Sequence, residues 1–112
     1  MRAYLVEDLN ENDVQRIESY LSGKNLAGPI EGIYFLPLPE DELTDEQRAH
    51  LPECGPFITA LEVLPCGALK LELLVRSRGK LRCSCIAYAT PKQRERAIER
   101  LDALIRELDV SV

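Results

Sequence analysis

Apolar and polar residues alternate along residues 57–89, and this period of two predicts β-strands with one buried face. Two three-residue turns, with glycine in third place at Gly67 and Gly79, divide the stretch into an antiparallel meander. The three predicted strands cover residues 57–64, 68–76 and 81–89. All odd-numbered positions then share one face that is almost wholly apolar, and a slip of one residue would mix the two faces.

The two turns also predict which residues lie opposite one another in the sheet. In the first hairpin Leu61 faces Leu71. In the second, Leu73 faces Cys83 and Leu71 faces Cys85, so both cysteines lie on the core face. Free cysteine often serves as a small buried apolar residue, and we expect this role for the pair.

A period of 3.6 residues predicts two long helices. The first covers residues 11–22 and begins after Asn10 as N-cap. The last covers residues 91–109, where Thr90 is the N-cap and Gln93 completes a capping box. Each helix has a single apolar stripe, so we expect both to pack on the apolar face of the sheet.

Shorter segments complete the order of elements. Strands are predicted at residues 3–6 and 33–36, on either side of the first helix. A strand, helix, strand unit of this length could form a right-handed parallel crossover. Prolines interrupt residues 37–56, where a short helix is expected at residues 45–50 after Thr44 as its cap.

The order β-α-β-α-β-β-β-α predicts a single α+β domain over residues 1–112. We expect a two-layer sandwich, in which a mainly antiparallel sheet of about five strands has both long helices on one face. The order is also similar in topology to thioredoxin-like folds, and a ferredoxin-like arrangement is another alternative. No C-x-x-C motif follows the first strand, where the chemistry of thioredoxin-like folds is found, so neither resemblance implies a function.

The amino-acid composition limits the classes of protein to which the chain can belong. The chain has 112 residues, of which 46% are hydrophobic and none is tryptophan, so aliphatic side chains must form its core. No amino-terminal run resembles a signal peptide, and no segment approaches the roughly 20 apolar residues of a membrane-spanning helix. We therefore expect a cytoplasmic protein with reduced cysteines and no membrane partner.

The net charge of −5 is unevenly distributed: residues 1–56 contain 12 acidic and 4 basic side chains, and residues 57–112 contain 7 acidic and 10 basic ones. The acidic total argues against general nucleic-acid binding and leaves a local basic patch as an alternative.

Such a patch surrounds the second predicted turn and consists of Arg76, Arg78, Lys80 and Arg82. Arg76 is predicted to lie opposite Lys80, and like charges in that position destabilise a sheet. One explanation is an exposed edge that its charge protects from aggregation. The other is an anion, such as a phosphate, a nucleic-acid backbone or an acidic partner.

The cysteines raise the question of a metal site. Cys54 and Cys66 lie beyond opposite ends of the 57–64 strand, which alone spans roughly 23 Å, so the four cysteines cannot surround one ion. His50, with Cys54 four residues later, is an alternative metal or thiol site. However, Pro52 is expected to break the helix that would align the two. We therefore predict no metal ligand, no cofactor and no catalytic residue.

The even-numbered face of the meander mixes apolar and charged residues. Its candidates for an interface are Ile58, Leu74, Ile86 and Tyr88, because exposed apolar groups rimmed by charge mark partner sites. No nucleophile with an adjacent base and no phosphate-binding glycine loop is present, so we do not expect an enzyme.

The leading hypothesis is a small cytoplasmic binding or interaction domain without enzymatic activity. It would self-associate through the even-numbered face or bind another protein through it. The two alternatives are anion or nucleic-acid binding through residues 76–82, and a metal or thiol site at His50 and Cys54.

Overall fold

The computed structural model of the protein describes residues 2–110. The strands are Ala3–Val6 (β1), Ile33–Pro37 (β2), Phe57–Leu64 (β3), Ala68–Glu72 (β4), Leu74–Ser77 (β5) and Ala87–Tyr88 (β6). The α-helices are Glu11–Gly23 (α1), Asp45–Ala49 (α2), Leu51–Cys54 (α3) and Pro91–Glu107 (α4), and Glu40–Glu42 forms a 3-10 turn. The strands pair in antiparallel fashion, so the predicted α+β class is confirmed.

The first hairpin forms with the predicted register. β3 pairs with β4 so that Leu61 lies opposite Leu71 and Val63 lies opposite Leu69. Gly67 has a φ of 85°, a conformation that the turn requires and that residues other than glycine rarely adopt. The odd-numbered side chains of the two strands therefore lie on one face.

The prediction for the second hairpin is wrong. β5 pairs with β6 so that Val75 lies opposite Ala87, whereas the prediction placed Leu73 opposite Cys83. β5 also pairs with the beginning of β3. Residues 78–86, here named the cysteine loop, form turns and irregular structure rather than a strand.

Gly79 explains why the chain leaves the sheet. It does not have the positive φ that the predicted turn requires. Instead its N–H donates to the carbonyl oxygen of Cys54 at 3.0 Å, and a side chain at this position would collide with the backbone of Glu53. The chain therefore passes from β5 directly against α3, and the cysteine loop lies beside that helix.

β1 and β2 border the meander from opposite sides. β1 pairs with β4, with Tyr4 opposite Leu71, and β2 pairs with β3, with Tyr34 opposite Leu61. Since every pairing is antiparallel, β1 and β2 run in opposite directions, and the predicted parallel crossover is wrong. The thioredoxin-like and ferredoxin-like alternatives both contain such a parallel unit, so neither describes this sheet.

Both long helices pack on the odd-numbered face, as predicted. Ile17 and Leu21 from α1 and Leu101 and Ile105 from α4 are at most 4% exposed. The sheet contributes Leu61, Leu69, Leu71 and Leu73 to the same core. The two-layer sandwich is therefore confirmed, and its even-numbered side, which α1 and α4 leave uncovered, is named the outer face. Within residues 2–110, no helix has the length and apolar character needed to cross a bilayer.

A second, smaller apolar cluster lies where the sheet meets α2 and α3. Its buried members are Leu43, Cys54, Phe57, Val75 and Cys85. Because two of the five are cysteines from distant parts of the chain, this cluster brings thiols together in a partly apolar environment.

Replacing Leu71 with alanine tests the main core. Leu71 is 0% exposed beneath both helices, so Leu71→Ala should lower the free energy of unfolding by about 2–5 kcal/mol. The matched control is Leu81→Ala, since Leu81 is 99% exposed and its loss should change stability by less than about 0.5 kcal/mol. Urea denaturation measures both, and equal effects would contradict the described core.

Candidate metal centre

α2 and α3 together place a histidine and a cysteine one helical turn apart. α2 ends at Ala49, His50 caps it, and α3 begins at Leu51. The Cys54 N–H donates to the His50 carbonyl oxygen at 2.7 Å, so the two side chains have the i, i+4 spacing. Pro52 lies in the first turn of α3, where a helix tolerates proline. The expectation that Pro52 separates His50 from Cys54 is therefore wrong.

The cysteine loop supplies two further sulfur atoms. The Ile86 N–H donates to the Cys83 carbonyl oxygen at 3.1 Å, which closes a tight turn around Ser84 and Cys85. Cys85 is 2% exposed and Cys83 is half-buried. The prediction of burial is confirmed for Cys85 and is wrong for Cys83, which is only half-buried. Both residues are reached from a turn and not from the predicted strand.

Four ligand atoms from these two segments converge. His50, Cys54, Cys83 and Cys85, here named the ligand cluster, have ligand atoms that all lie within 4.8 Å of one another. The His50 Nδ1 atom is 3.1 Å from the Cys83 Sγ and 3.9 Å from the Cys54 Sγ. A tetrahedral zinc ion with Zn–S bonds of about 2.3 Å separates its sulfur ligands by about 3.8 Å. The cluster therefore has the composition and size of a single tetrahedral metal site.

The thiols of the cluster have different acidities without a metal ion. Hydrogen bonds, first from the Cys85 backbone N–H and then from neighbouring side chains, lower the pKa of Cys83 to about 6. Burial, together with the adjacent Cys83 and Cys54, raises the pKa of Cys85 to about 12. Burial disfavours a second thiolate, whereas a bound dication would stabilise several at once.

Polar contacts hold the cysteine loop against α2 and α3. The Ser84 hydroxyl donates to the Glu46 carboxylate at 2.6 Å, and the Lys80 ammonium is 3.1 Å from the Glu53 carboxylate. The Ser77 hydroxyl donates to the Cys54 carbonyl oxygen at the start of the loop. These contacts join the cysteine loop to α2 and α3 beside the ligand cluster.

Three of the four basic residues predicted to bind an anion have separate partners within the chain. Arg76 lies opposite Ile58 and not opposite Lys80, and its guanidinium binds the Glu72 carboxylate through contacts of 2.7 and 3.2 Å. The Arg78 guanidinium stacks 4.7 Å from the centre of the Phe35 ring.

Lys80 has its own partner in Glu53, and Arg82 is exposed. Three of the four basic groups thus have partners within the chain. Anion binding at residues 76–82 stays a prediction, and these contacts reduce its support.

The four candidate interface residues differ in exposure. Ile58 is 4% exposed and Tyr88 is 45% exposed, and the Arg2 guanidinium lies 4.7 Å from the centre of the Tyr88 ring. Leu74 and Ile86 are half-buried, and Ile86 packs against the apolar cluster that contains the cysteines. Tyr88 is therefore the member of the predicted interface set that is most available to a partner.

The sequence pointed to His50 and Cys54 as an alternative metal or thiol site, but it did not place Cys83 and Cys85 beside them. Cys66 is exposed at the tip of the first hairpin and takes no part in the cluster. His50 is the fourth member of the cluster instead. The available signal was an H-x-x-x-C spacing, typical of one helical turn, together with a C-x-C pair.

The low pKa of Cys83 predicts selective alkylation of the metal-free, reduced protein. Thiolate is the nucleophile, so alkylation of Cys83 should rise through a midpoint near its pKa of about 6. Peptide mapping after brief iodoacetamide treatment across a pH series measures this midpoint, and Cys83→Ser should abolish the acidic component. A midpoint for Cys83 near the ordinary thiol value of about 8.5 would contradict the described hydrogen bonds.

No protein family model, curated protein or solved structure matches this chain. No functional residue can therefore be assigned by similarity to another protein. The ligand cluster is identified by its own geometry and chemistry.

Proposed function

We propose that this protein is a metal-binding domain that holds one Zn²⁺ ion in the ligand cluster. The proposal rests on one observation: one imidazole and three thiols from two separate segments have ligand atoms within 4.8 Å of one another. Packing of an apolar core does not by itself bring a histidine nitrogen to three sulfur atoms. Tetrahedral sites of cysteine and histidine are typical of zinc, and iron is the next metal that thiolates favour.

The number of ligands supports a structural role for the ion. Three thiolates and one imidazole complete a tetrahedral shell, whereas catalytic zinc sites keep a position for water or substrate. A closed shell agrees with the hypothesis of a protein without enzymatic activity. We place the protein in the cytoplasm, where thiols stay reduced and can coordinate metal.

The ion would fasten the cysteine loop to α2 and α3. α2 has five residues and α3 has four, and helices this short are marginal without tertiary contacts. The cysteine loop has no regular structure, and of its two large aliphatic side chains Leu81 is 99% exposed and Ile86 is half-buried. Metal bonds from both segments would add stabilisation to the limited apolar burial there.

Metal analysis of the purified protein tests the proposal. We expect about one zinc ion per chain, because each ion needs the full set of four ligands. Cys83→Ser and Cys85→Ser should each lose most of this metal, and Cys66→Ser is the matched control that should retain it. Reduced protein without zinc or iron, which fails to bind added Zn²⁺, would contradict the proposal.

Chelation should also lower thermal stability. Zinc present at about 1,000 times its dissociation constant stabilises the folded state by about 4 kcal/mol through mass action. We therefore expect a chelator to lower the Tm of the wild-type protein and of Cys66→Ser, and to leave the Tm of Cys85→Ser unchanged. A wild-type Tm that does not respond to chelator or to added zinc would contradict a structural role.

Self-association through the outer face is a second candidate function. Leu5 is 50% exposed and Tyr88 is 45% exposed on this face, and Ile30 and Leu81 beside it are 62% and 99% exposed. A groove of about 480 Å³ is lined in part by Ile30, Phe35 and Leu81. Several exposed apolar side chains on one side of a protein are typical of an interface with another protein. We propose that a second copy of the chain covers them.

Sedimentation velocity across a range of protein concentrations tests self-association. We expect a concentration-dependent dimer that Leu81→Asp weakens, because the substitution places a charge among apolar groups of the interface. Gln15→Asp adds the same charge on the exposed side of α1 and is the matched control. A monomer mass at all concentrations would contradict this function and leave the metal site unaffected.

A further inference from the structure

Two buried glutamines connect the ligand cluster to the first turn of α4. Gln47 in α2 is 2% exposed and Gln93 in α4 is 4% exposed. The Gln93 Nε2 atom donates to Gln47 Oε1 at 2.9 Å, and the Gln47 Nε2 atom donates to the Cys85 carbonyl oxygen at 3.2 Å. A continuous chain of hydrogen bonds therefore extends from α4 to the backbone of Cys85, a proposed metal ligand.

The capping boxes fix the direction of this chain. Gln47 Oε1 accepts the Thr44 N–H at 3.0 Å, and Gln93 Oε1 accepts the Thr90 N–H at 3.1 Å. Because each amide oxygen faces the start of its own helix, each amide NH₂ group must point away from that start. The NH₂ group of Gln93 is thereby directed to Gln47, and that of Gln47 is directed to Cys85.

Glutamine at positions 47 and 93 does what glutamate could not do. A capping box accepts glutamate as readily as glutamine, because it uses only a side-chain oxygen. Only an amide can both cap its helix and donate onward. Gln93 uses this capacity twice, since its Nε2 atom also donates to the Glu42 carbonyl oxygen at 3.0 Å. A glutamate at position 47 would cap α2 but would leave the Cys85 carbonyl without its donor.

We infer that Gln47 is a positioning residue of the metal centre and that Gln93 supports it, an inference that rests on the proposed metal-binding function. Cys85 belongs to a loop without regular structure, and the hydrogen bond from Gln47 holds its backbone in place. Hydrogen bonds just outside the ligand shell orient metal ligands and increase metal affinity. The same chain makes metal binding and the ordering of the first turn of α4 mutually dependent.

Zinc affinity, measured by competition with a chromophoric chelator, tests this role. Gln47→Glu keeps the capping oxygen but removes the donor to Cys85, and we expect its affinity for Zn²⁺ to fall by about 10- to 100-fold. Gln93→Glu acts one hydrogen bond further away and should produce a smaller loss in the same direction. The visible bands of the Co²⁺-loaded Gln47→Glu protein should also change, because the geometry of a ligand changes.

The matched control is Thr44→Ala, which removes the capping hydroxyl of α2 and leaves both amides in place. We expect it to lower thermal stability while Zn²⁺ affinity and the Co²⁺ spectrum stay at wild-type values. This separates a general loss of helix stability from a loss of ligand positioning.

Wild-type affinity and an unchanged Co²⁺ spectrum in Gln47→Glu would overturn the positioning role. If that variant does not fold, Gln47→Met removes the same donor without adding charge, and wild-type affinity in Gln47→Met would overturn the role equally. A wild-type protein that binds neither Zn²⁺ nor Co²⁺ would instead overturn the proposed function, so the two failures are distinguishable.

Discussion

The position of the cysteine loop against α2 and α3 depends on the contact of His50 and Cys54 with Cys83 and Cys85. Apolar burial holds the cysteine loop only in part, because Leu81 is 99% exposed and Ile86 is half-buried. The loop is instead attached by its cysteines and by hydrogen bonds to α2 and α3. The two-layer core of Leu61, Leu71 and their neighbours forms the rest of the domain, and it provides the rigid edge on which the ligand cluster is built.

The sequence alone was sufficient to predict those elements that are determined by residues close together in the chain. The capping boxes at Thr44 and Thr90 and the left-handed turn at Gly67 are each set by residues a few positions apart, and all are present. The cysteine loop could not be predicted in this way, because alternating polar and small apolar residues imitate a strand there. What removes it from the sheet is the close approach of Gly79 to the backbone of α3, a long-range contact that strand periodicity does not record.

The site was missed for a related reason. Distance along β3 correctly separates Cys54 from Cys66, and His50 was considered beside Cys54, but strand periodicity placed Cys83 and Cys85 in the sheet and not beside them. Pro52 was expected to end a helix, whereas a new helix begins there and places His50 and Cys54 together. The ligand types were visible in the sequence, and only their convergence required the tertiary structure.

One corner of the antiparallel sandwich contains the proposed metal centre, where the buried amides of Gln47 and Gln93 connect the Cys85 backbone to α4. X-ray absorption spectroscopy at the zinc edge of the purified protein tests directly whether the four side chains bind an ion. We expect three sulfur neighbours at about 2.3 Å and one nitrogen at about 2.0–2.1 Å from the ion. A first shell of oxygen and nitrogen atoms without sulfur would contradict it.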